Sequence, residues 1–131
     1  MPSLTGILET ALYVSDVHRS REFYEALFGF QAVGEGERLT ALAVKPGQVL
    51  LLCRKRASAG LGETAHDGDG QLHLAFAIAA GDLEAWERRL EDRHIAIVDR
   101  RTWERGGQSV YFRDPDGHLL ELATPGVWAN Y

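Results

Sequence analysis

Glu9-Thr10-Ala11-Leu12-Tyr13-Val14 and His73-Leu74-Ala75-Phe76-Ala77-Ile78 match position for position, 64 residues apart. Each stretch alternates apolar side chains as a half-buried strand does. Each opens on a residue able to bind a metal and carries Ala two places on. A repeat of this kind fixes the architecture before any other signal. After the first stretch, Ser15-Asp16 offers a helix N-cap, Val17, Phe23, Tyr24, Leu27 and Phe28 follow at helical spacing, and Gly29 offers a stop. Strands are expected over 30–33, 39–44 and 49–54, the last two joined by Lys45-Pro46-Gly47-Gln48. After a polar, glycine-rich connection over 58–70 the order restarts. Asp82 is expected to cap a helix carrying Leu83, Trp86 and Leu90, and strands are expected over 95–98, 109–113 and 118–123. Asp114-Pro115-Asp116-Gly117 makes the final turn.

The order is therefore βαβββ twice, in modules of about 5–56 and 70–125 within one domain of 1–131. The fold class expected is α+β: two curled mixed sheets around a shared cavity, with helices outside. A doubly wound parallel sheet fits worse, because strands outnumber helices and hairpin turns abound.

Strand alternation then picks out three polar residues. With Leu12 and Val14 turned to the helix, Glu9, Ala11 and Tyr13 take the opposite face. His73, Ala75 and Ala77 do the same in the fifth strand, and Glu121 and Ala123 in the last. A carboxylate withdrawn from water needs a counter-charge or a metal. Two in one concavity would repel each other, and a divalent cation removes both penalties. Glu9, His73 and Glu121 are the metal ligands expected.

Composition narrows the partners. A formal net charge of -5 disfavours nucleic acid and anionic membranes, since both need a basic footprint. No apolar run approaches the roughly 20 residues of a membrane helix, and no secretory leader is evident, so a cytoplasmic location is expected. Cys53 is the single cysteine and reads as an inert thiol. The run His66-Asp67-Gly68-Asp69-Gly70 hints at a calcium loop but lacks the remaining ligands. His18, His94 and His118 read as surface residues.

The chain resembles the vicinal oxygen chelate superfamily of type I glyoxalases, extradiol dioxygenases, fosfomycin-resistance enzymes and bleomycin-resistance proteins. The resemblance rests on Leu12-Tyr13-Val14-Ser15-Asp16, Phe23-Tyr24, Leu27-Phe28-Gly29-Phe30 and His73-Leu74-Ala75-Phe76. It rests equally on Tyr111-Phe112-Arg113-Asp114-Pro115-Asp116-Gly117-His118-Leu119-Leu120-Glu121-Leu122. It implies paired βαβββ modules. It places the superfamily's first metal position on Glu9, where His or Gln is more usual, the second on His73 and the terminal glutamate on Glu121. The glyoxalase-type fourth ligand falls on Leu51 or Leu52, which argues against a four-ligand site. Glu9 also breaks the dioxygenases' two-His-one-carboxylate triad.

The function expected is a metal-dependent enzyme, lyase, isomerase or dioxygenase-like, acting on a small substrate chelated through adjacent oxygens. Its metal would be Mn²⁺, Fe²⁺, Zn²⁺ or Ni²⁺. Glu121 and Tyr111 are the catalytic residues expected, with Tyr13, Arg101 and Tyr111 as substrate contacts. The alternative is a metal-free, bleomycin-resistance-like binding protein, with Trp103, Trp128 and Tyr131 as stacking surfaces. A fosfomycin-modifying enzyme ranks behind both, because Ala11 stands where that branch has Thr and Glu9 where it has His. The resemblance also implies a homodimer, in which Glu9 would share a metal with His73 and Glu121 of the other subunit.

Overall fold

The structure, a computed structural model, describes residues 1–131. Two compact units divide the chain, Met1–Asp69 and Gly70–Tyr131. In the first, β1 (Glu9–Val14) leads into α1 (Val17–Phe28), then β2 (Gln31–Glu35), β3 (Leu39–Lys45) and β4 (Gln48–Arg54). The sheet runs β1-β4-β3-β2, with β1 parallel to β4 and the other pairs antiparallel. Parallel pairing needs a long crossover, which α1 and the β2–β3 hairpin supply.

The Asp16 side chain accepts from the backbone N–H of Arg19 at 3.0 Å, as an N-cap should. Gly29 ends the helix at φ 75°, a left-handed conformation that favours glycine, and its N–H reaches the Glu25 carbonyl. Between these caps Ser20, Tyr24 and Leu27 form the buried stripe. The helix packs on β3 and β4, and Leu12, Val14, Leu42, Leu50 and Leu52 of the sheet are each at most 1% exposed. Asp16→Ala should lower unfolding free energy by about 1 kcal/mol, read as the midpoint shift in urea at unchanged slope.

The second unit repeats the plan with β5 (His73–Ala77), α2 (Leu83–Asp92), β6 (Asp99–Thr102), β7 (Gln108–Arg113) and β8 (Leu119–Ala123), in the order β5-β8-β7-β6. Its core holds Leu90, Val110, Phe112, Leu120 and Leu122.

Three readings of the sequence need correction here. The strand expected over 95–98 lies at Asp99–Thr102. The chain is still leaving α2 at that point, for the N–H groups of His94 and Ile95 bond back to Glu91 and Leu90. Ile95 and Ile97 are half-buried without pairing, and a charged edge strand follows. Asp82 makes no side-chain cap, because a 3₁₀ turn, Ala80–Asp82, runs straight into the helix. His118 is fully buried rather than at the surface. Its Nδ1 accepts from the N–H of Leu72 and its own N–H donates to Asp114, so it staples the start of β5 to the entry of β8.

The tail is anchored as well. The Tyr131 hydroxyl lies 2.7 Å from the Ala123 carbonyl and 3.2 Å from that of Ile78. No helix is long and apolar enough to cross a membrane.

Candidate metal centre

The register of the second sheet sets Glu121, on β8, between Ala75 of β5 and Tyr111 of β7. Ala75 leaves open space on one side of the carboxylate, and Tyr111 places a phenol on the other. His73 opens β5 beside Leu119, and its Nδ1 lies 2.8 Å from the Leu119 carbonyl oxygen. A carbonyl only accepts, so Nδ1 carries the proton and donates it. In the neutral ring that leaves a lone pair on Nε2, and Nε2 points at Oε2 of Glu121 across 3.2 Å. Two lone pairs at that distance repel unless a cation, either a proton or a metal ion, stands with them.

The other carboxylate oxygen is already committed. Oε1 of Glu121 accepts from the Ser109 hydroxyl at 2.5 Å, and Ser109 Oγ accepts from the Trp103 indole N–H at 2.8 Å. Burial first, then the Glu121 charge, raises the pKa of the Tyr111 hydroxyl above its ordinary value. Tyr111 is thus a neutral phenol placed cross-strand from the carboxylate. Glu121 is 6% exposed, so its carboxyl group sits in a dry setting with the Ser109 hydroxyl as its donor.

Arg101 completes the group. Its guanidinium carbon lies 5.6 Å from the Tyr111 ring centre and 5.9 Å from that of Trp103, and its Nε reaches Asp99 at 3.2 Å. His73, Tyr111, Arg101, Arg113, Val98, Asp99 and Leu119 line a cavity of about 300 Å³. That is the lower end of ligand-pocket sizes, suited to a small molecule.

The first unit holds the other two expected site residues. Glu9 is exposed at the head of β1, opposite Val49, as His73 stands opposite Leu119 in the second unit. Tyr13 is engaged by its own connecting loop. Its hydroxyl bonds His66 Nδ1 at 2.9 Å, and Gly68 lies against its ring so closely that a Cβ there would fall 2.3 Å from it. The counterpart of Glu121 is Leu51, which sits between Ala11 and Ala41. Register therefore selects Leu51 over Leu52 for the inner position, and it carries no donor atom.

The acidic loop that hinted at calcium spends its carboxylates internally. Asp67 accepts from the N–H groups of Arg56 and Gly68, which hold its pKa down, and Asp69 pairs with Lys55 and Arg56. Cys53 is buried, and burial pushes its thiol pKa up, away from the reactive thiolate.

His73 and Glu121 fit a divalent cation. The imidazole tautomer is fixed by a backbone carbonyl and the carboxylate by a hydroxyl, as the outer contacts of metal ligands commonly are. No group of three His, Cys, Asp or Glu side chains converges to hold an ion. Reading the sequence missed Ser109. Its signal was its place two residues before Tyr111 on one strand face, and only the cross-strand register gives that place meaning.

Comparison with known proteins decides the family. A profile described as Glyoxalase/Bleomycin resistance protein/Dioxygenase superfamily matches residues 6–122. The chain belongs to this superfamily. Within the glyoxalase/bleomycin resistance/dioxygenase superfamily, the chain is 32% identical to metallothiol transferase FosB of Bacillus licheniformis, over 95% of its own length and 79% of that protein's. It is 31% identical to metallothiol transferase FosB of Staphylococcus epidermidis, over 92% and 84%. The crystal structure of lactoylglutathione lyase from Agrobacterium tumefaciens aligns with a TM-score of 0.88 at 30% identity, covering 98% of this chain and 99% of that one. The fosfomycin resistance protein FosX from Listeria monocytogenes, at 19% identity and a TM-score of 0.70, shares the fold. The superfamily's paired βαβββ plan is thus the plan of this chain, four strands to each open sheet.

Proposed function

We propose that this superfamily member is a divalent-metal-dependent enzyme acting on a small, oxygen-rich, anionic substrate. The observation that carries the reading is the pairing of a tautomer-fixed His73 Nε2 with a desolvated Glu121 Oε2 at 3.2 Å. Glu9, the register counterpart of His73, is the third ligand in this reading, supplied by a second copy in a homodimer. Mn²⁺, Fe²⁺, Zn²⁺ and Ni²⁺ all suit one imidazole with two carboxylates. When bound, the ion supplies Lewis acidity toward adjacent substrate oxygens.

The protein's own groups supply orientation. Arg101 and Arg113, both lining the cavity, attract an anionic group. Arg101 is held by Asp99 and by two aromatic rings, and Arg113 by the Gly117 carbonyl. The neutral Tyr111 phenol lines the cavity cross-strand from Glu121, placed to donate to a substrate oxygen. Tyr13, engaged by His66, would contact substrate only after giving up that bond.

The names of the relatives, metallothiol transferase and lactoylglutathione lyase, both join a thiol compound to their chemistry. A thiol-using reaction on that small substrate therefore leads the reaction classes in this reading. The test is elemental analysis of purified protein beside Glu9→Ala, followed by turnover assays pairing cysteine or glutathione with fosfomycin and with 2-oxoaldehydes. Near-stoichiometric metal in the wild type, lowered at least tenfold in Glu9→Ala, supports the three-ligand assignment. Protein that takes up no metal on reconstitution sinks it and leaves a metal-free binding protein.

A further inference from the structure

The metal reading gives Glu121 one oxygen for the ion and leaves open why that oxygen is Oε2. The chain Trp103–Ser109–Glu121 answers this by the chemistry of its donors. An indole N–H only donates. Facing Ser109 Oγ at 2.8 Å, it fills an acceptor position of the hydroxyl and turns the hydroxyl proton elsewhere. The acceptor that receives that proton is Oε1 of Glu121, at 2.5 Å. Ser109 is 1% exposed, so water does not substitute for either partner.

The source of the chain is also fixed. The Trp103 N–H donates to the Gly107 carbonyl at 2.7 Å, and that of Gly106 to the Trp103 carbonyl at 2.9 Å. This tight turn sets the indole at the mouth of β7, and Arg101 lies over its ring.

The geometry points to Ser109 and Trp103 as positioning residues for the metal site: together they fasten Oε1 and present Oε2, beside His73 Nε2, as the single oxygen offered to an ion. This inference rests on the proposed function and deepens it. Neither residue touches metal or substrate. Their effect is to remove the carboxylate's freedom to rotate or to bind through both oxygens, a pre-organisation whose loss metal affinity reports directly.

The test is Mn²⁺ titration by calorimetry of the purified, metal-stripped protein, with apo thermal midpoints measured alongside. Ser109→Ala should weaken Mn²⁺ binding about tenfold or more, the scale of lost outer contacts to metal ligands. Trp103→Phe, which keeps an aromatic side chain and the Ser109 hydroxyl but removes the indole N–H and frees that hydroxyl to turn, should weaken it by roughly threefold to tenfold. Both variants should do so with apo midpoints within about 3 °C of the wild type, whereas a merely structural role moves the midpoint and leaves affinity alone. Unchanged Mn²⁺ affinity in Trp103→Phe overturns the proposal even where Ser109→Ala fails to fold. Glu121→Gln, run in parallel, separates the two failures. If it abolishes Mn²⁺ binding while Ser109→Ala and Trp103→Phe do not weaken it, the positioning role fails and the metal site stands. If Glu121→Gln binds as the wild type does, the metal site fails and the positioning role with it.

Discussion

Glu121→Gln is expected to reduce divalent-metal affinity by more than a hundredfold, exceeding the roughly 10–100-fold cost of losing an outer contact. The substitution is nearly isosteric and removes the charge that faces His73 Nε2. In the apo protein the new amide N–H group can donate to that nitrogen, so the repulsion between the two lone pairs disappears. The apo thermal midpoint should therefore hold within about 3 °C or rise, while metal-induced stabilisation vanishes. Melting curves with and without Mn²⁺ measure both. A midpoint that falls equally in apo and metal-loaded protein would assign Glu121 a structural role instead.

Gly107→Ala is expected to cost about 3 kcal/mol of stability, the upper range for an overpacked site. A Cβ there would lie 2.4 Å from the backbone carbon of Gly126 and 2.5 Å from the backbone nitrogen of Val127. Backbone atoms cannot swing aside as the end of a side chain can. The Gly107 N–H also donates to the Gly126 carbonyl, so relief by moving the two segments apart would break that bond. The strained turn is the one that sets Trp103, so metal affinity should fall as well. Urea unfolding with a midpoint shift worth less than about 1 kcal/mol would show that the tail segment yields freely.

The repeat, the order of strands and both ends of α1 could be read from the residues, because they depend on short-range rules. Asp16 caps and Gly29 stops as their chemistry directs. Alternation placed Glu9, His73 and Glu121 on their strand faces because side chains on a strand have a period of two. What failed depended on contacts between distant residues. The run 95–98 has strand-forming composition, yet Ile95 still bonds back to α2 and only Val98 reaches β7, so the polar Asp99–Thr102 takes the edge. His118 carries no sequence sign of burial, since its partners Leu72 and Asp114 come from a parallel strand and a turn. Ser109 looked like any strand serine until the register set it across from Ala123 and within reach of Glu121.

The most direct test of the metal assignment is anomalous diffraction from crystals grown with Mn²⁺. The account predicts one strong peak per chain within about 2.3 Å of His73 Nε2 and of one Glu121 oxygen, Oε2, with Ser109 still bound to the other. It further predicts that Glu9 of a second copy supplies the next ligand. A peak elsewhere, or none at saturating Mn²⁺, would contradict it.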